Sequence, residues 1–99
     1  MTPSAKAPQP PSLATLRDQL GELDSEFVDL LSRRVEIARR VGAEKRAAGL
    51  PSLDPRREAQ VVAAVARHAR KVGLSEEAVR DIFWPVIAMC RRAQQDDAS

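Results

Sequence analysis

Between Leu13 and about Ala48, apolar residues fall at Leu13, Leu16, Leu20, Leu23, Phe27, Leu30, Ile37 and Val41, and no proline interrupts them. Steps of three and four, with one double step after Leu30, are the period of a single long helix with one apolar seam. Ser12 is placed to cap its start, and Gly49 followed by Pro51 to stop it. At 1.5 Å per residue such a helix runs about 50 Å, whereas a compact domain of this length has a radius of gyration of about 13 Å. The rest of the chain is too small to bury that seam, so the pattern predicts an intertwined helical homodimer.

Asp54 before Pro55 predicts the start of a second helix, with Val62, Val65, Ala69 and Val72 as its apolar stripe and Gly73 as its end. Ser75 with Glu76 and Glu77 opens a third, whose stripe runs Val79, Ile82 or Phe83, Val86, Cys90 and Gln94. Pro85 lies inside that helix. Its missing N–H predicts a kink after Asp81, at a cost of about 3 kcal/mol unless packing compensates. The expected fold class is therefore all-α: a three-helix protomer over residues 13–95, between a disordered tail at 1–12 and a short tail at 96–99.

Polar residues interrupt these stripes at telling places. The rhythm of the first helix calls for apolar residues at 34 and 45 and meets Arg34 and Lys45. Four residues before Val62 stands Glu58, and four after Cys90 stands Gln94. Two cations, a carboxylate and an amide thus project from three helices toward one interior. Each alone has an ordinary explanation: arginine and lysine snorkel from a seam's edge, Glu58 could pair with either cation, and Gln94 could sit near a fraying end. Together they describe an interior short of negative charge, which an anionic ligand would complete.

Composition narrows the chemistry. The 99 residues make one domain at most, and with aromatics at 3% and no tyrosine its packing must rest on aliphatic side chains. One cysteine, Cys90, and one histidine, His68, exclude a disulfide framework, a Cys-rich metal site and the usual nucleophilic triads. His68 reads as a partly exposed histidine without a partner, Cys90 as a small core residue, and Phe83 and Trp84 as core or dimer contacts. A net charge of +2 is too slight to argue for nucleic acid. The basic run Arg33, Arg34, Arg39, Arg40, Lys45 and Arg46 is broken by Glu36 and Glu44 and carries no interleaved aromatic for base stacking. Solvated surface is the expectation for Arg33, Arg39, Arg40 and Arg46, and no nucleic-acid partner is expected. The Pro-rich start does not read as a secretory signal, and no apolar run is long enough to span a bilayer, so the expectation is a cytoplasmic protein with no membrane partner.

The segments LRDQLGELDSEFVDLLSRRVEIARRVGAEK (Leu16 to Lys45), LDPRRE (Leu53 to Glu58) and MCRRAQQ (Met89 to Gln95) resemble the all-helical, AroQ-class chorismate mutases. The resemblance covers Leu13 to Gln95. It implies a domain-swapped dimer whose active sites are each completed by the long helix of the other chain. By matching position, Arg17 from the partner and Arg34 clamp the substrate carboxylates, while Lys45 and Gln94 reach the ether oxygen. Glu58 meets the ring hydroxyl beside the Asp54 backbone, and Arg57 supports the carboxylate end. The implied reaction, chorismate to prephenate in aromatic amino-acid biosynthesis, is a concerted Claisen rearrangement that needs no base, nucleophile, metal or cofactor. Lys45, Gln94 and Arg34 are the expected catalytic residues, and Arg17, Asp54, Arg57, Glu58 and Cys90 bind substrate with them. Cys90 departs from the hydroxyl residue common at its position, and a thiol is the weaker donor. Rearrangement of 4-amino-4-deoxychorismate and isochorismate pyruvate lysis stay open on the same scaffold, as does a non-enzymatic basic dimer that binds nucleic acid or protein.

Overall fold

A computed structural model describes residues 9–96 of the chain. It contains three helices, α1 (Leu13–Ala47), α2 (Pro55–Lys71) and α3 (Glu76–Asp96), with no strand among the described residues. Of the expected tails, residues 1–8 and 97–99 lie outside the described residues. Residues 9–12 are exposed and non-helical, and α3 runs one residue past its expected end.

Local chemistry sets each helix end. Ser12 Oγ accepts from the Thr15 N–H at 3.1 Å, Asp54 Oδ1 from the Arg57 N–H at 3.1 Å, and Ser75 Oγ from the Ala78 N–H at 3.2 Å. Each satisfies a backbone donor that the first helical turn leaves unpaired. At the other end of α1, Gly49 takes φ +69° while the Leu50 N–H reaches back to the Lys45 carbonyl at 2.8 Å. Gly73 does the same after α2 with φ +80°, and the Leu74 N–H reaches the Ala69 carbonyl at 2.9 Å. This left-handed closure suits glycine because a Cβ there would be strained.

The described residues divide into two units, 9–30 and 31–96. In the first, the α1 seam formed by Leu13, Leu16, Leu20, Leu23, Phe27 and Leu30 is exposed in the single chain. In the second, α2 and α3 pack against each other, and the buried set is Ala38, Val62, Ala66, Ala69, Val86, Ile87, Cys90 and Ala93. Leu31, Val35 and Phe83 pack against the part of it made by Ala38, Val86 and Cys90.

On α1 the residues buried within the single chain are Ala38 and Gly42, while Ile37 and Val41 of the seam stay exposed, as expected of a seam the rest of the chain is too small to bury. Small side chains win the buried face because they let the helix backbones approach. On α2 the stripe turns through Ala66 and leaves Val72, past the last helical residue, 57% exposed. On α3 Phe83, of the two alternatives, packs against the core, and Trp84 is exposed in the single chain. Pro85 lies inside α3, which is helical on both sides of it. Pro85 is itself exposed, and buried Val86 and Ile87 follow it at once. Their packing offsets the one backbone hydrogen bond the ring removes. No helix among the described residues is long and apolar enough to cross a membrane.

Candidate active site

The C-terminal half of α1, the loop before α2, the first turns of α2 and the C-terminal half of α3 enclose a cleft of about 430 Å³. Arg34, Lys45, Asp54, Arg57, Glu58, Cys90 and Gln94 all line it, with Ser52, Arg91 and the apolar side chains of Ile37, Val41, Val61 and Ile87. Arg17 lies in the other unit, on an exposed stretch of α1. Four cations, Arg34, Lys45, Arg57 and Arg91, face two carboxylates, Asp54 and Glu58, so the lining carries two positive charges in excess.

Arg34 is half-buried, donates from Nη1 to Cys90 Sγ at 2.9 Å, and lies 5.7 Å from the centre of the Phe83 ring. Sulfur is a weak acceptor and the ring face attracts a cation. Together they hold the guanidinium in place without neutralising it. Lys45 Nζ donates to the Ser52 carbonyl at 3.1 Å and to Gln94 Oε1 at 3.4 Å. With Oε1 engaged by the ammonium, the Gln94 amide N–H groups are left as its free donors. Neither Arg34 nor Lys45 forms an ion pair with a carboxylate among the described residues.

Glu58 is held differently from its sequence expectation. Its partner is Arg91, which donates from Nε to Oε2 at 2.9 Å and from Nη2 to Oε1 at 2.6 Å. Both carboxylate oxygens are taken by one planar fork, the strong geometry for such a pair. The Arg91 hydrogen bonds hold the Glu58 carboxyl below the usual carboxylate range, against the opposing pull of partial burial, and the charges of Arg91 and Lys45 add to the effect.

Sequence reasoning missed two residues. Arg91 stands four after Ile87 and three before Gln94, so helical spacing puts it on the cleft face, and that spacing was the available signal. Arg46, exposed as expected, also donates from Nη1 to the Gln94 carbonyl at 2.9 Å. It caps one of the last carbonyls of α3, which the helix itself leaves unpaired. Gly42 completes the support of Gln94. A Cβ there would lie 3.0 Å from Gln94 Cα, 3.0 Å from its carbonyl oxygen and 3.1 Å from its Cβ. Among the described residues no group of three or more His, Cys, Asp or Glu side chains could hold a metal ion.

Such a cleft suits a small anion, held by fixed charges beside a paired ammonium and amide. Residues 16–95 match the family model described as chorismate mutase type II, and the chain belongs to that family. It is 32% identical over 84 residues to the T-protein of Enterobacter agglomerans, a match spanning 85% of this chain and 22% of that protein. With the 4-amino-4-deoxychorismate mutase of Streptomyces pristinaespiralis it shares 30% identity over 105 residues, spanning 97% of this chain and 81% of that protein. The protein of the same name from Streptomyces venezuelae is 32% identical over 80 residues, 80% of this chain and 78% of its own length. The chain thus spans about a fifth of the T-proteins it matches and most of the 4-amino-4-deoxychorismate mutases.

Proposed function

We propose that this protein is an isomerase that rearranges chorismate to prephenate, serving phenylalanine and tyrosine biosynthesis in the cytoplasm. The carrying observation is the cleft's excess of two positive charges around the Lys45–Gln94 pair. Chorismate is a dianion, so its two carboxylates balance that excess. It is also flexible, and the rearrangement requires its side chain folded over the ring. Guanidinium groups held at fixed positions, with Arg34 foremost, bind the carboxylates in that compact conformer and remove the orientational entropy from the barrier.

The bond changes then occur in one step. The ether C–O bond breaks as the new C–C bond forms, and negative charge grows on the ether oxygen without any proton transfer. Lys45 Nζ and the free amide N–H of Gln94 stabilise that charge more than they stabilise the ground state, each by about 2–4 kcal/mol as for oxyanion-hole donors. Glu58 accepts from the ring hydroxyl, the Asp54 backbone lies beside it, Arg57 supports the carboxylate end, and Cys90 lines the ring-carboxylate side. No cofactor enters this chemistry.

The exposed seam from Leu13 to Leu30 supports a homodimer. A second copy of the chain buries the seam and supplies its Arg17 to the site, as the family resemblance implies. The Streptomyces relatives, matched over most of their length, favour rearrangement of 4-amino-4-deoxychorismate as the second reading. Incubating purified protein separately with chorismate, isochorismate and 4-amino-4-deoxychorismate and identifying the products tests all of these. Prephenate from chorismate is the expected result, and its absence removes the primary reading. Sedimentation of the same sample reads the dimer.

A further inference from the structure

Building on the mutase reading, we propose that Arg91 is a specificity-determining residue, which through its fork on Glu58 selects a substrate with a neutral hydroxyl at ring carbon 4 over one with an ammonium there. Glu58 and Asp54 are the only carboxylates among the described lining residues, and the Asp54 side chain is occupied in capping α2. Glu58 is therefore the group an ammonium would need. Both of its oxygens are already engaged by Arg91, at 2.9 and 2.6 Å, and the pair is neutral.

A hydroxyl loses little in meeting such a pair, because a carboxylate oxygen holding one guanidinium N–H keeps a lone pair for a second donor. An ammonium fares worse. It sheds its hydration beside a carboxylate whose charge is already matched, and it lies against a like charge that arginine does not give up. Whole-site charge leads to the same selection. The excess of two positive charges in the lining is balanced by a hydroxylated dicarboxylate. Arg17 of the partner subunit raises the excess to three, and the amino analogue, with one net negative charge, leaves one charge more uncompensated than the dianion does.

The test is the ratio of kcat/KM for chorismate to kcat/KM for 4-amino-4-deoxychorismate, measured on the full chain and on Arg91→Met, Arg91→Lys and Arg91→Gln. The unaltered protein is expected to favour chorismate by at least tenfold. Arg91→Met and Arg91→Gln, which remove the charge, should lower the ratio at least tenfold; Arg91→Lys, which keeps it, should hold the ratio within about threefold. A general loss of packing would slow both substrates and leave the ratio in place. Should Arg91→Met not fold, Arg91→Gln reads the same ratio with hydrogen bonding to Glu58 retained. An unaltered protein that prefers the amino substrate overturns the assignment, as does an unmoved ratio in the uncharged variants, and both leave the mutase reading standing. Turnover of neither substrate by the unaltered protein overturns that reading, and the role of Arg91 with it.

Discussion

Gly42→Ala separates the geometry of the site from the stability of the helix that carries it. In the interior of α1, replacing glycine by alanine should stabilise by about 1 kcal/mol through backbone entropy alone. At Gly42 the new methyl would meet the Gln94 backbone at 3.0 Å, several tenths of an ångström inside ordinary carbon contact, and backbone cannot swing aside as a side-chain tip can. Overpacking of this kind costs about 1–3 kcal/mol, so the net effect is a modest loss of stability. The larger consequence is positional. Moving α3 outward lengthens the 3.4 Å Lys45–Gln94 contact and the 2.9 Å Arg46–Gln94 bond together. A full 1 Å misplacement costs about 10²-fold in rate where catalysis rests on orientation, so a shift of a few tenths of an ångström should cost severalfold. Initial rates of chorismate consumption, taken with thermal melts, measure both effects. Gly21→Ala is the control for the intrachain approach, since nothing of the same chain lies within 4 Å of a Cβ there, and its helix should gain stability. If Gly42→Ala melts higher and keeps full activity, then α3 is not held at Gly42 and Gln94 is not fixed by that approach.

Arg34→Ala should lower turnover of chorismate by two or more orders of magnitude while circular dichroism stays unchanged; near-normal kcat/KM would make Arg34 a surface residue with no hold on substrate. Gln94→Glu replaces a donor present at every pH by one that exists only when protonated, so the rate optimum should move to acid. Lys45, 3.4 Å from the present Oε1, favours the ionised carboxylate and pushes that optimum lower still, and an unchanged pH–rate profile refutes the contact with the reacting oxygen. The Glu58 carboxyl is held below its unfolded range by Arg91, so its contribution to stability is present above the usual carboxylate range and fades as pH falls through its lowered folded value. Melting temperatures of the unaltered protein and Glu58→Gln should therefore differ most near neutrality and converge in acid; a difference that grows on acidification contradicts the pairing.

What one sequence could determine was everything that depends on neighbours along the chain. The three helices follow from a 3.6-residue period, and their ends from Ser12, Asp54 and Ser75 as caps and from Gly49 and Gly73 as left-handed closures, all within five residues of the bonds they make. The polar residues that break the stripes, Arg34, Lys45, Glu58 and Gln94, were legible for the same reason, because period alone assigns a side chain to a face. Pairing across helices was not legible. That Glu58 meets Arg91 and not Lys45, that the exposed Arg46 caps α3, and that Ala38 and Gly42 are the α1 residues buried within the single chain all depend on distances between helices. Those distances are set by how closely two backbones can approach, a property of both surfaces at once that no single helix's sequence contains.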